Sequence, residues 1–219
     1  MFYDTDIKRH IIMKIHDKLD EILKHRSKIK ILRFLFVERD EHTGRGIAKG
    51  IGMSASSTYK TLQKMKDEGL IGARKKGNAI LYKLQENNHI VKKLLAPLFE
   101  KEKSIYGDII SSIKKILFRE KKEIVSIAIF GSVARKEETS RSDIDLIVIA
   151  KNKIGKTKID KAMDELNIDM AEKFGAAVSP YILTEAEIKR KHVEKQAVIR
   201  SILNNNQLIY GEPIERILA

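Results

Sequence analysis

The residues best equipped for chemistry lie in one stretch, Gly131-Ser132-Val133-Ala134-Arg135 followed by Ser142-Asp143-Ile144-Asp145-Leu146. Glycine lets a backbone come close to a phosphate, and the serine adds an N–H and a hydroxyl at a helix start, the end that favours an anion. Asp143 comes eleven residues after Ser132, and Asp145 two further on. Side chains two apart on a strand share a face, so both carboxylates are predicted to project together. Two hard oxygen donors beside a phosphate cradle suit Mg²⁺ (or Mn²⁺) carrying a nucleoside triphosphate. The chemistry served would be in-line displacement at an α-phosphorus, which rests on positioning and charge neutralisation, with ions about 3.5–4 Å apart in two-metal sites. Asp143 and Asp145 are therefore the candidate catalytic and metal-binding residues. Gly131, Ser132 and Arg135 are the candidate nucleotide-binding residues, although Arg135 is as well placed for a surface salt bridge. Ser142 is given at most a supporting role behind the aspartates.

The elements that must position this set follow a strand–helix alternation. The β-rich run Ile124–Phe130 leads straight into Gly131-Ser132. Residues 143–150 read as a second strand, anchored by Ile144, Leu146, Ile147, Val148 and Ile149, and 177–183 as a third. A helix is predicted over 159–174, Thr184 caps another, and Leu208-Ile209-Tyr210 forms a short apolar segment. Such alternation argues for a small α/β or α+β domain. The six histidines (His10, His16, His25, His42, His89, His192) show no close pair at metal-ligand spacing and read as surface or packing residues.

A second constellation, basic rather than acidic, lies in the N-terminal half. Ser27 can cap a helix through Ile29, Ile31, Leu32, Leu35 and Phe36, and Thr43 a short second helix holding Ile47, Ala48 and Ile51. Gly52 breaks that helix, and Ser54 is an N-cap for a third over 55–68, on which Tyr59, Leu62 and Met65 face one way. Gly69 supplies the left-handed position that ends it. Strands over 70–73 and 80–84 flank a polar tip, Arg74-Lys75-Lys76-Gly77-Asn78. Ser54, Ser56, Ser57, Lys60 and Lys64 at the start and outer face of the third helix, with Arg74, Lys75 and Lys76 at the tip, are the candidate DNA-binding residues.

Charge supports this division. The 219 residues carry a net +13, and residues 43–85 hold nine basic side chains against two acidic ones. An excess of that size in a short stretch points to a polyanion. The absence of cysteine excludes disulfides, thiolate zinc sites, iron–sulfur ligation and Cys-based catalysis. There is no apolar run of membrane-spanning length and no signal-peptide core, so a cytoplasmic protein without a membrane partner is expected. Residues 5–25 place Ile7, Ile11, Ile15, Leu19 and Ile22 at helical spacing, widened by Ile12 and Leu23, an expected seam for a homodimer. Residues 89–122 read as a helical connector that Pro97 should bend or break.

The basic stretch TGRGIAKGIGMSASSTYKTLQKMKDEGLIGARKKGNAILYKL resembles winged-helix transcription regulators over roughly residues 25–88, which implies double-stranded DNA as ligand. The stretch IAIFGSVARKEETSRSDIDLIVI is similar to the nucleotidyltransferase superfamily that includes DNA polymerase β, more closely to its small minimal members, with a looser likeness over 105–211. This second resemblance implies a mixed sheet flanked by helices, triphosphate binding at Gly131 and Ser132, metal at Asp143 and Asp145, and transfer of a nucleoside monophosphate, with ATP the expected donor. Active members usually add a third carboxylate on the next strand; here that strand has none, and Ser179 or Tyr181 stands in the position, with Glu185 and Glu187 on the following helix.

The expected fold class is α+β, an N-terminal winged helix of three helices and a hairpin joined to a C-terminal nucleotidyltransferase-fold mixed sheet. The expected divisions are 1–26 (possible dimer seam), 27–88 (winged helix), 89–122 (connector) and 123–219 (nucleotidyltransferase-like). The expected function is Mg²⁺-dependent nucleotidyl transfer by a DNA-binding protein. Its alternatives are a transcription regulator that binds nucleotide without catalysis, or an antitoxin-like partner of a toxin-type protein.

Overall fold

Hydroxyl caps set two helices of the first unit. In the computed structural model, which describes residues 16–139 and 141–219, the chain divides into compact units at Ser104/Ile105. The first contains α1 (Lys18–Leu23), α2 (Arg26–Glu38), β1 (His42–Thr43), α3 (Gly44–Gly50), α4 (Ala55–Asp67), β2 (Ile71–Lys76) and β3 (Ala79–Leu84). The Thr43 hydroxyl accepts the Gly46 amide at 3.0 Å and the Ser54 hydroxyl accepts that of Ser57 at 3.2 Å, so α3 and α4 begin where the sequence places them. Gly69, at φ +71°, ends α4, and the Leu70 amide reaches back to the Met65 carbonyl at 3.0 Å. A three-stranded antiparallel sheet, β1-β3-β2, completes a winged helix.

Four details of this unit depart from the sequence reading. Ser27 does not cap α2: His25 stands at the N-cap, and Ser27 lies inside the helix, where its hydroxyl accepts that of Thr61 at 3.3 Å. Tyr59 is 51% exposed, because the buried stripe of α4 runs through Thr58, Thr61, Leu62 and Met65, a helical spacing that leaves position 59 off the face. The wing strands continue through Lys76, which pairs with Ala79, so the tip is only Gly77-Asn78, with Gly77 at φ +58°. Strand β1, which pairs His42 with Tyr82, is too short to leave a pattern in sequence. The expectations for Ile7, Ile11, Ile12 and Ile15 lie outside the described residues. Of the others on that seam, Ile22 is buried while Leu19 and Leu23 are exposed.

The core of this unit gathers Ile31, Leu32, Leu35, Ile47, Leu62, Met65, Leu70 and Tyr82. Each such side chain contributes about 1.5–3 kcal/mol on burial. Lys28 is 2% exposed within it, and its ammonium donates to both Glu68 oxygens (2.6 and 2.8 Å) and to the Glu21 carbonyl (2.8 Å), tying α1, α2 and α4 together. Val91, Leu95 and Phe99 also join this core. They follow Asn88, whose side chain accepts the Ile90 and Val91 amides, and they open a π-helical turn (Val91–Leu95) that passes into α5 (Ala96–Leu117). Pro97 thus falls just where the winding changes, and α5 continues through it.

The second unit is a mixed four-stranded sheet of β4 (Ile124–Phe130), β5 (Ile144–Ala150), β6 (Val178–Thr184) and β7 (Asn206–Gly211), in the order β6-β5-β4-β7, with β5 and β6 parallel. Between the strands come α6 (Gly131–Arg135), α7 (Lys153–Phe174), α8 (Glu185–Val193) and α9 (Ala197–Asn204), and α10 (Ile214–Leu218) closes the chain. Alternation along β5 sorts the two faces. Leu146 and Val148 pack with Ile159, Met163, Leu166 and Met170 of α7 and with Ile113, Ile116 and Leu117 of α5. Ile147 and Ile149 pack with Ile188, Ile199, Ile202 and Ile214. Asp145 belongs to this second face by its spacing from Ile147. The segment read as a connector therefore supplies side chains to the core of each unit. No helix among the described residues is long and apolar enough to cross a membrane.

The pair of Lys28 and Glu68 makes an asymmetric test of this packing. Glu68→Ala leaves an ammonium buried without its carboxylate and is expected to cost about 3 kcal/mol, whereas Lys28→Met leaves Glu68 to water and should stay within about 1 kcal/mol of the parent. Urea denaturation followed by circular dichroism reads both, and equal losses would contradict the assignment.

Candidate functional site

The turn after β4 is built around a glycine. Gly131 has φ +72°, a conformation that side chains other than glycine rarely adopt, and a Cβ there would lie 1.9 Å from Oδ2 of Asp145. The Asp145 carboxylate therefore rests directly against the Gly131 backbone, and the glycine is required twice over, by conformation and by space. Ser132 follows, half-buried, as the second residue of α6.

The short α6 is held from its far end. Tyr106 donates its hydroxyl hydrogen to Oε1 of Gln207, and the Gln207 side-chain amide donates to the Ala134 carbonyl at 2.8 Å. Burial pushes the Tyr106 phenol up, which keeps it a donor. Neither residue was singled out in the sequence, because their contact joins positions 101 apart. Lys136 then takes a left-handed conformation (φ +58°), and the Glu137 amide returns to the Ser132 carbonyl at 2.9 Å. The loop leading to Asp143 is closed by Ser142: its hydroxyl accepts the Thr139 amide at 2.9 Å while its own amide donates to the Thr139 carbonyl at 3.0 Å.

Asp143 is exposed and stands one residue before β5, which begins at Ile144 and not at 143; Asp145 is half-buried on the strand. Burial raises the Asp145 carboxyl above the ordinary aspartate range, the Asp143 charge raises it further, and Arg135 opposes both. Asp145, resting against Gly131, therefore lies within electrostatic reach of both Asp143 and Arg135. Arg135 Nε donates to Oε2 of Glu137 at 2.8 Å, the surface salt bridge that was one of its two expected roles. The donor set fits one hard dication: a half-buried carboxylate whose charged form is disfavoured by burial and by the neighbouring Asp143, at a turn kept free of side-chain bulk.

The next strand answers the question of the third acid. Ser179 pairs in register with Asp145, and Tyr181 with Ile147, so Ser179 is the residue flanking Asp145. Of the acids on α8, Glu187 accepts the Thr184 amide at 2.8 Å in a capping box and holds Lys156 at 2.9 Å. No three His, Asp or Glu side chains among the described residues come together as a cation cage.

The basic set of the first unit is brought together only in part. Ser56, Ser57, Lys60 and Lys64 are exposed on α4, with Tyr59 among them. Ser54 is committed to its cap. Arg74 is not at a wing tip: it makes a two-pronged pair with Glu41, Nε to Oε1 at 2.6 Å, and this holds the Glu41 carboxyl below its usual range. Lys75 and Lys76 remain exposed on β2.

The raised Asp145 carboxyl carries a stability consequence. A carboxyl with a folded value above its unfolded one favours the fold at low pH, and that contribution is lost as pH rises through the raised value. Asp145→Asn is thus expected to melt at a higher temperature than the parent at pH 7, with the gap closing below about pH 4. A variant less stable than the parent at pH 7 would contradict the half-buried, crowded carboxylate.

Comparison with known proteins agrees with this architecture. Residues 111–215 match the family described as Polymerase beta, Nucleotidyltransferase. A Methanocaldococcus jannaschii protein named "Putative protein adenylyltransferase" is 41% identical over 86 residues, which make up 36% of this chain and 86% of that relative. Another of the same name and organism is 32% identical over 90 residues, 40% of this chain and 59% of its own length. An "Uncharacterized HTH-type transcriptional regulator" of Mycobacterium tuberculosis is 30% identical over 73 residues, 33% of this chain and 63% of the relative. With the sheet, the glycine turn and the aspartate pair in place, and with a relative matched over most of its length, the chain belongs to the polymerase beta nucleotidyltransferase family and joins that domain to a winged helix.

Proposed function

We propose that this chain is a DNA-binding nucleotidyltransferase that takes ATP with Mg²⁺ and passes the nucleoside monophosphate to an acceptor hydroxyl. The observation that carries the reading is the meeting of Gly131 and Asp145, which puts a backbone open to phosphate against a carboxylate suited to a metal. Gly131 and Ser132 hold the triphosphate, Asp143 and Asp145 hold the metal, and Arg135 exchanges Glu137 for phosphate oxygens. The acceptor hydroxyl gives up its proton to solvent water as its oxygen bonds to the α-phosphorus, the bond from the α-phosphorus to the bridging oxygen breaks, and pyrophosphate leaves. Bound Mg²⁺ supplies neutralisation of the charge that builds on the phosphate oxygens. The names of the two archaeal relatives favour an adenylyl donor such as ATP and a protein as acceptor.

Ser179 favours a second reading, in which the site binds nucleotide without turning it over and the ligand alters DNA affinity. Incubation with α-phosphate-labelled ATP and Mg²⁺ separates the two. Label on a macromolecule together with pyrophosphate, both lost in Asp143→Asn/Asp145→Asn, is expected from transfer; equal labelling by the folded double variant would reject it.

For the first unit, duplex DNA meets α4 through Ser56, Ser57, Lys60 and Lys64, with Lys75 and Lys76 on the flanking phosphates. Ser54 and Arg74 shape this surface through the helix cap and the pair with Glu41. Tyr59 adds an aromatic edge among the lysines. A homodimer seamed at Leu19 and Leu23 would present two such heads. Lys60→Ala and Lys64→Ala should each reduce the slope of log affinity against log salt by about 1 and weaken binding to all duplexes alike. An unchanged slope would remove these lysines from the phosphates.

A further inference from the structure

The neighbourhood of Asp145 fixes how much positive charge the site can hold. On one side stand the last residue of β4 and Gly131, whose bare backbone presses on the carboxylate. On the other stands β6, parallel to β5 and in register, with Ser179 opposite Asp145. Adjacent strands lie about 4.8 Å apart, and residues paired in a parallel ladder point to the same face, so Ser179 is the side chain set beside the Asp145 carboxylate. One step along the same face, Ile147 and Tyr181 are apolar and aromatic. On the helix that follows β6, Glu187 is engaged with Thr184 and Lys156.

We infer that Ser179 limits this site to one divalent ion when nucleotide is bound. Two dications side by side repel about four times as strongly as two unit charges at the same separation. Anionic oxygens must surround both to hold them. Asp143, Asp145 and the triphosphate supply enough for one Mg²⁺, which keeps waters on its remaining positions. A serine hydroxyl adds an oxygen but no negative charge. Ser179 is exposed at the surface, so an acid fits there without repacking a core. The inference deepens the nucleotide-binding reading and rests on it.

The test counts ions on the full chain. With a non-hydrolysable ATP analogue in excess, bound Mn²⁺ is measured by electron paramagnetic resonance for the parent, Ser179→Asp, Ser179→Asn and Asp143→Asn/Asp145→Asn, each checked for fold by circular dichroism. The expected result is one ion per chain for the parent and for Ser179→Asn, and two for Ser179→Asp, with pyrophosphate release from ATP raised by an order of magnitude or more in that variant. If Ser179→Asp does not fold, Ser179→Glu reaches the same flank on a longer stem. Two ions on the parent, or one on a folded acidic variant, would overturn the inference while leaving nucleotide binding intact. Retention by the double aspartate variant equal to the parent's would overturn the assignment of Asp143 and Asp145 as metal ligands, on which the inference rests.

Discussion

The second unit depends on one steric fact: the carboxylate of Asp145 occupies the volume in which any residue but glycine at 131 would carry its Cβ. That contact sets how closely the start of α6 approaches β5. It explains the positive φ at the turn, and it crowds a carboxylate that Asp143 crowds further. The helix that follows is five residues long and cannot hold itself in place by its own hydrogen bonds. Its position comes from Asp145 at one end and from Gln207, backed by Tyr106, at the other. An electrostatic cost that Arg135 offsets only in part is what a binding site needs before its cation arrives.

In the proposed function both units address phosphate, by opposite means. The first presents fixed cations, Lys60 and Lys64 on a helix and Lys75 and Lys76 on a strand, suited to a long polyanion whose counterions they displace. The second presents carboxylates, which repel phosphate until a divalent cation reverses their sign. DNA binding by the first should therefore respond to monovalent salt, and nucleotide binding by the second to divalent metal. The neutral flank at Ser179 bears on the second of these and leaves the first untouched.

What was legible in the sequence was set by local physics. Thr43, Ser54, Gly69 and Thr184 act within three or four residues of themselves, and each does in the structure what its type predicts. The run into Gly131 is local as well, so the glycine turn could be read before the sheet was known, whereas the strand was expected to include Asp143 and begins at Ile144. Ser27 and His25 compete for one cap two residues apart, and the core decided between them by drawing Ser27 against Thr61. Tyr59 misled because an aromatic on a helix is usually buried, while here two threonines fill the inner face. The pairs of Arg74 with Glu41 and Tyr106 with Gln207 join distant positions, and only the pairing of strands brings them together. For the same reason Ser179 and Tyr181 stayed equivalent until the register of β6 on β5 chose Ser179 as the neighbour of Asp145.

The most direct test of the account is a crystal structure of the full chain with a non-hydrolysable ATP analogue and Mn²⁺, using the anomalous signal of the metal to place it. The account predicts a metal peak ligated by Asp143 and Asp145 and bridging to the triphosphate, whose terminal phosphates lie on the Gly131 and Ser132 backbone. A nucleotide seated elsewhere, or a metal that touches neither aspartate, would contradict it.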